Sequence, residues 1–334
     1  DPAGVVAFAR KAGIDFAVVG PEEPLGHGVV DALATAGISA VGPTRSLARL
    51  ETSKSFTRNL LKKYDIPGNP RFRNFRSPEG IEAFFDELDG IVLKPDGLTG
   101  GKGVMVEGDH FQTRKEALAL CLDILKSHPG VTVEEKLEGE EFSLQCFCDG
   151  RTVAATPPVQ DHKRRFTGDR GPNTGGRGSY SAADHLLPFL DADAVAEGLA
   201  ITRKVAEAIR RETGVPYKGV MYGGFMITRS GVKLIEYNAR LGDPEAMNIL
   251  PLLLTDFLDI CRARQVPLPN PRAFPNPLIR RVHHRLKFRV GPDGFRQKSA
   301  RTCDSCSLHC CPFLRAMTDP APSGSVRTGP MPQA

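Results

Sequence analysis

The run Leu93-Lys94-Pro95-Asp96-Gly97-Leu98-Thr99-Gly100-Gly101-Lys102-Gly103-Val104 sets four glycines around two lysines between two apolar stretches. A segment this rich in glycine loses too much backbone entropy to sit inside a helix or strand, so it must be a loop joining two strands. Its backbone amides can approach phosphate oxygens closely while the ammonium groups neutralise them, which suits a cover over a nucleotide triphosphate. No Gly-Lys-Ser/Thr opens a helix here, so the arrangement is not a P-loop. Taken alone, a glycine-rich hairpin with exposed lysines explains the run almost as well.

The surrounding pattern sets the fold class. Pro2 starts a helix with Val5, Val6, Phe8 and Ala9 on one face; an apolar run at 14–19 ends at Gly20-Pro21; a helix over 28–36 and a strand over 38–41 follow. This alternation describes half of a doubly wound parallel sheet. A sheet entered through a helix lacks its first strand, leaving one edge unpaired unless something covers it. The spacing of Leu47, Leu50, Phe56, Leu60 and Leu61 predicts one helix over 46–64. Strands are predicted over 91–94, 103–107, 131–137 and 141–149, in one mainly antiparallel sheet with a helix over 114–127. Asp149-Gly150 is a hairpin signal leading to 152–156. Asp191 caps a long helix that Gly214 stops, with Val195, Leu199, Thr202, Ala206 and Ile209 at helical spacing. Strands over 219–228 and 232–238 follow, and Asp243 as N-cap with Pro244 in the first turn begins a helix to about Ala263.

Beyond Gln265 periodicity fades. Residues 265–334 carry 11 of the 44 Lys and Arg against three acidic residues, Asp293, Asp304 and Asp319, so the net charge of +5 belongs to this tail. Cys303 and Cys306, followed by His309, Cys310 and Cys311, are ligand types for zinc, but the second pair follows too closely for the familiar modules. The cluster Arg280-Arg281-Val282-His283-His284-Arg285 lacks aromatic interleaving, so nucleic acid is not expected as a partner. A poorly ordered tail is the expectation. No uncharged apolar run reaches the ~18 residues a bilayer span needs. Cys121, Cys146, Cys148 and Cys261 follow no framework spacing and are read as reduced thiols of a cytoplasmic protein. The start at Asp1-Pro2, without an initiator Met, suggests a fragment or a processed end.

Other stretches carry chemistry. Glu134-Glu135-Lys136-Leu137-Glu138-Gly139-Glu140-Glu141 ends an apolar strand and can be a solvated edge. Gln160-Asp161-His162-Lys163-Arg164-Arg165 and Gly171-Pro172-Asn173-Thr174-Gly175-Gly176-Arg177-Gly178 suit a small anionic substrate better than a core. Strand periodicity puts Glu236 and Asn238 on one face, a hard-oxygen pair fit for Mg²⁺. Ala239-Arg240-Leu241-Gly242-Asp243-Pro244-Glu245 then offers a guanidinium near a helix start.

In this order, LKPDGLTGGKGV, EEKLEGEEFS, QDHKR, GPNTGGRGSYS and LIEYNARLGDPE resemble the glycinamide ribonucleotide synthetase family of ATP-grasp enzymes, over roughly residues 15–263. The resemblance implies an ATP-grasp fold of two α+β subdomains, residues 45–264 with a lid over about 72–140, preceded by part of a doubly wound α/β domain over 1–44. It implies ATP and Mg²⁺ (or Mn²⁺), with glycine and 5-phosphoribosylamine joined through glycyl phosphate. By the same resemblance Lys54, Lys94, Gly97, Gly100, Gly101, Lys102 and Gly103 face the phosphates. Glu134, Glu135, Lys136 and Leu137 line the adenine, and Glu141 meets the ribose. Glu236 and Asn238 hold the metal. Asp161, His162, Lys163, Asn173, Thr174, Gly175, Arg240 and Asp243 surround the substrates, with Lys102, Arg240 and Asp161 as the catalytic groups. The chain departs from the family in lacking the initial strand with its Gly-Gly-Arg-Glu-His type loop, in its tail, and in having no carboxylate within 219–228, which leaves two protein ligands for the metal. Another ATP-grasp carboxylate–amine ligase or an inactive nucleotide-binding fragment are the alternatives, and the oligomeric state stays open.

Overall fold

The structure, a computed structural model, describes residues 1–100, 103–162, 164–166, 170–173 and 178–265; over 164–166, 170–173 and 263–265 it describes the backbone. Gly101, Lys102, Lys163, Thr174, Gly175 and the whole tail, with Cys303, Cys306 and the 280–285 cluster, lie outside the described residues.

Asp1 caps helix α1 (Pro2–Lys11) by accepting from the Ala3 and Gly4 amides. Strand β1 (Phe16–Val18) pairs in parallel with β2 (Ser39–Val41), and between them run α2 (Glu22–Gly26) and α3 (Val29–Thr35). The helix expected over 28–36 is α3; the short α2 before it was not expected, and Gly28 at φ 82° turns the chain between the two, a left-handed conformation that glycine adopts without a Cβ penalty. Leu25, Val29, Val30, Leu33, Ile38 and Ala40 form this part's core. Among the described residues β1 pairs only with β2, and Val5, Phe8, Ile14 and Val18 stay exposed nearby, Phe8 at 69%.

The single helix expected over 46–64 is two, α4 (Arg45–Thr52) and α5 (Lys54–Lys63). Ser53 interrupts them with extended backbone (φ −143°, ψ 107°) and caps α5, its hydroxyl accepting from the Phe56 amide at 3.2 Å. A cap is chosen over continuity because serine's short oxygen satisfies an amide that the next helix would otherwise orphan.

The four strands expected in one sheet belong to two. β3 (Phe72–Phe75), β4 (Ile91–Pro95), β5 (Met105–Val106) and β6 (Val131–Glu135) form an antiparallel sheet in the order β3-β6-β4-β5, covered by α6 (Ile81–Phe85) and α7 (Arg114–Ser127). Both sides of β6 are taken, so β7 (Glu140–Asp149) cannot join it. Instead β7 lies between β8 (Val153–Ala155) and a later strand. The short pieces β9 (Gln160–Asp161), β10 (Arg164–Phe166), β11 (Arg170–Asn173) and β12 (Ser179–Tyr180) follow, β9 with β12 and β10 with β11. Helix α8 (Ala192–Thr213), capped by Asp191 and ended by Gly214 at φ 73°, precedes β13 (Lys218–Thr228) and β14 (Gly231–Asn238), giving the second sheet, β14-β13-β7-β8. The buried face of α8 is Ala194, Gly198, Ile201, Thr202, Val205, Ala208 and Ile209; Val195, Leu199 and Ala206, expected inward, are half-buried at its flank.

The helix expected from Asp243 to about Ala263 is also divided. Asp243 is exposed, joined to Pro244 by a cis peptide, and does not cap. Helix α9 (Ala246–Ile249) runs into a 3₁₀ turn (Leu250–Leu252), Leu253 is extended, and α10 (Phe257–Gln265) begins after Asp256 accepts from the Leu258 amide. Pro251 has no N–H to donate back to residue 247, which fits the change from α-helix to 3₁₀ turn at Leu250.

Candidate functional site

Lys54, the first residue of α5, donates from Nζ to the Gly97 carbonyl at 2.8 Å, at the root of the glycine-rich loop. Burial lowers its ammonium below the ordinary lysine value, opposed by the carboxylate of Glu236; Lys94, Asp96 and Glu134 act on it more weakly. The loop root is tied to the same helix start: Asp96 accepts from the Ser53 hydroxyl at 3.0 Å, the Ser55 amide at 3.2 Å and the Ser55 hydroxyl at 2.5 Å. Gly97 and Gly100 have φ of 120° and 59°, and a Cβ on Gly103 would run into Thr99.

Lys94 on β4 is buried, its Nζ 2.8 Å from Glu134 Oε2 and 2.9 Å from the Ile235 carbonyl. Glu134 also accepts a two-pronged pair from Arg58 of α5, Nε at 2.6 Å and Nη2 at 2.8 Å. Burial alone would raise the Glu134 carboxyl, but the Arg58 and Lys94 charges outweigh it and hold it below the usual carboxylate range. Glu134, expected at the adenine, is thus engaged with two cations. Glu135 accepts from the Arg71 amide, Lys136 donates to the Glu107 carbonyl at 2.8 Å, and Leu137 is half-buried just beyond β6.

Strand β14 carries a bulge. Gly224 opposes Glu236 but Phe225 opposes Leu234, which leaves Ile235 as the extra residue. Val232 and Leu234 point into the core under α8, and by strict alternation Glu236 and Asn238 would follow them. The bulge reverses the phase, so Tyr237 is buried while Glu236 and Asn238 share the half-buried opposite face. Period two correctly puts the pair on one face; which face could not be read from it.

A second group adjoins this strand. Arg240 pairs through Nε with Glu22 at 3.0 Å and through Nη2 with Glu51 at 3.4 Å, and Glu51 accepts from the Ala239 amide at 2.8 Å. Tyr222, opposite Asn238, donates to Glu245 at 2.5 Å. Burial, then the charges of Glu245, Asp161 and Glu236, push its phenol well above the ordinary value. Gly242 donates to Gln145 at 2.9 Å, and any side chain there would meet Tyr222 and Glu245. Asp161 lies in β9 opposite Ser179, and the His162 ring stacks on Tyr180 with centroids 5.9 Å apart. Glu141 is exposed on β7, its carbonyl accepting from Gln160. Asn173 has its backbone in β11 opposite Arg164.

The structure therefore gathers Lys54, Lys94, Gly97 and Glu134 near Glu236, and Glu236 also adjoins the group of Tyr222, Glu245, Asp161 and Arg240, while Asp243 stays exposed. Arg58, Glu51, Glu22, Asp96 and Tyr222 escaped the sequence reading. Two left a signal: Arg58 stands four residues after Lys54 on one helix face, and Glu51 interrupts the apolar stripe of Leu47 and Leu50.

Residues 52–246 match the family described as Phosphoribosylglycinamide synthetase, ATP-grasp (A) domain, and residues 1–51 match Phosphoribosylglycinamide synthetase, N domain. The phosphoribosylamine–glycine ligase of Methanothermobacter thermautotrophicus is 50% identical over 262 residues, 77% of this chain and 60% of that protein. The chain spans about 60% of the length of the curated relatives it matches. A crystal structure of phosphoribosylamine–glycine ligase from Thermotoga maritima superimposes with a TM-score of 0.60 at 31% identity, covering 68% of this chain and 57% of that one. A biotin carboxylase from Campylobacter jejuni, 16% identical, shares the fold with a TM-score of 0.61 over 81% of this chain and 59% of its own. With the two domain matches running together from residue 1 to 246, this chain belongs to the phosphoribosylglycinamide synthetase family and has the ATP-grasp fold.

Proposed function

We propose that the chain carries the nucleotide-binding and acyl-activating part of a phosphoribosylamine–glycine ligase, with residues of about 72–140 as its lid. The observation that supports this most is the convergence of Lys54, from the loop root at Gly97, and Lys94, from the Ile235 carbonyl, on the strand that bears Glu236 and Asn238. Two ammonium groups and a hard-oxygen pair are what a triphosphate needs, and Lys102 in the glycine-rich loop adds a third cation by family likeness.

Glu236 and Asn238 fit Mg²⁺ or Mn²⁺ in donor chemistry. Among the described residues no group of three or more His, Cys, Asp or Glu stands ready for a metal, so phosphates and water would complete the shell. The ion, when bound, supplies charge neutralisation on the phosphoryl oxygens. The glycine carboxylate oxygen attacks the γ-phosphorus of ATP and ADP leaves, giving glycyl phosphate. The amine of 5-phosphoribosylamine then attacks the acyl carbon, phosphate leaves, and a proton is released to give glycinamide ribonucleotide. The chain's own residues contribute position and charge: lysines along the triphosphate, and Asp161 with the Arg240 group at the substrate end. The Arg240 guanidinium, held between Glu22 and Glu51, is aligned in advance. The described cysteines are buried thiols and no described helix is long and apolar enough to cross a membrane, which suits a cytoplasmic enzyme.

The test is ADP formation by the purified chain with ATP, Mg²⁺, glycine and 5-phosphoribosylamine. Sustained ADP formation, beyond one equivalent per chain, is expected only with both substrates present, and Glu236→Ala is expected to lower turnover by at least about a hundredfold, the scale of losing an electrostatic stabiliser. Turnover untouched by that substitution rejects the metal assignment; nucleotide binding without ADP release rejects the enzyme.

A further inference from the structure

We infer that Arg58, acting through Glu134 and the Ile235 carbonyl, is a positioning residue that fixes the Lys94 ammonium beside the strand of Glu236 and Asn238, and so sets the grip on the triphosphate. This rests on the reading of Lys94 as a triphosphate group. Arg58 is 2% exposed and bonds two strands at once: Nε and Nη2 to Glu134 of β6, Nη1 to the Leu234 carbonyl at 3.0 Å and Nη2 also to the Ile235 carbonyl at 2.7 Å, with a longer Nη1 bond to Asn69 Oδ1 at 3.4 Å. Lys94 meets the same two acceptors, Glu134 Oε2 and the Ile235 carbonyl. An ammonium has three donors, so these two bonds leave one N–H for a ligand and decide where it points.

The network spans the two four-stranded sheets, joining β4 and β6 of one to β14 of the other through α5. Ile235 is the bulge residue, its carbonyl accepts from both Arg58 and Lys94, and the next residue is Glu236. Buried ion pairs are poor stabilisers, since apolar side chains of like volume commonly do as well or better. A guanidinium, a carboxylate and an ammonium buried together are better explained by geometry they enforce than by stability. Lysine at 58 would keep the charge but lose the fork.

Titration calorimetry on the full chain, with ATP plus Mg²⁺ and with AMP as probes, separates the outcomes. Lys94→Met should weaken ATP by at least about tenfold, roughly 1.4 kcal/mol. Arg58→Lys and Glu134→Gln should each do the same while AMP, which lacks the outer phosphates, shifts by less than about twofold. Combining Arg58→Lys with Lys94→Met should bind ATP no more weakly than Lys94→Met alone, because nothing is left to position. ATP binding at wild-type strength in Arg58→Lys and Glu134→Gln, full additivity in the double variant, or equal losses of ATP and AMP would each overturn the proposal. Failure of both single variants to fold, judged by circular dichroism, would assign the network to stability and overturn it as well. If instead Lys94→Met binds ATP like the wild type, the triphosphate reading fails first and takes this inference with it.

Discussion

At Glu51 two demands conflict. Burial pushes its carboxyl from 4.5 up to about 7, against the pull of Arg240 and the Ala239 amide, while Glu22 and Glu236 add to the rise. A carboxyl raised on folding takes up a proton as the chain folds, so its contribution to stability is full below pH 4.5 and lost as pH climbs through about 7. Relative to Glu51→Gln, the wild type should therefore lose on the order of 2–3 kcal/mol between pH 4.5 and 8. Thermal melts of both proteins at pH 5 and pH 8 check this; a constant difference in Tm counts against it. Residues of this kind are hard to find in a sequence. Lys94, Glu236 and Asn238 stand out as polar groups beside a loop and in an alternating strand, whereas Lys54, Arg58 and Glu51 lie within a stretch that reads as amphipathic helix, and of these only Lys54 is marked out, through the family resemblance. The roles of Arg58 and Glu51 depend on partners 76 and 188 positions away.

Helices and strands were legible wherever one period ruled a segment. Helix α7 carries a capping box, Thr113 with Glu116, and its expected bounds of 114–127 are those observed. Reading failed where a single residue changed the direction of the chain, as Ser53 does between α4 and α5, since a serine inside an amphipathic pattern looks like a tolerated polar residue. The two caps differ in consequence. Thr113→Ala and Ser53→Ala should each cost ~1 kcal/mol by losing a capping bond. Only Ser53→Ala also loosens the hold on Asp96 and hence the root of the glycine-rich loop, so it alone should weaken ATP, by about threefold to tenfold. Denaturant melts and nucleotide titrations on the pair check both halves.

Across the whole molecule the apolar side chains divide into separate cores. One gathers Phe75, Ile81, Phe84, Phe85, Leu93, Ile124 and Val133 around the first four-stranded sheet; another gathers Phe142, Leu144, Ile201, Val205, Phe225, Leu234 and Tyr237 around the second. Phe85→Ala, at a fully buried site, should cost ~3–5 kcal/mol. Because the cores are distinct, that loss should appear as faster amide exchange in β3, β4 and β6, with β7 and β13 nearly unchanged. Mass-spectrometric exchange reads this directly, and uniform acceleration would contradict it. The division into two sheets was not legible because strand periodicity reports which face is wet, not which neighbour is paired; β6 had to be seen with both edges occupied before β7 could be assigned elsewhere.

One odd residue in β14 governs more than its own position. A descendant that lost Ile235 would gain a flatter, better-zipped ribbon and keep its acid and amide outward, since Leu234 would still oppose Phe225 and Glu236 still oppose Gly224; what would go is the backbone oxygen on which Arg58 and Lys94 meet. The number of residues in this strand thus matters apart from their identity, because the surplus one supplies a contact that no side chain in the strand makes.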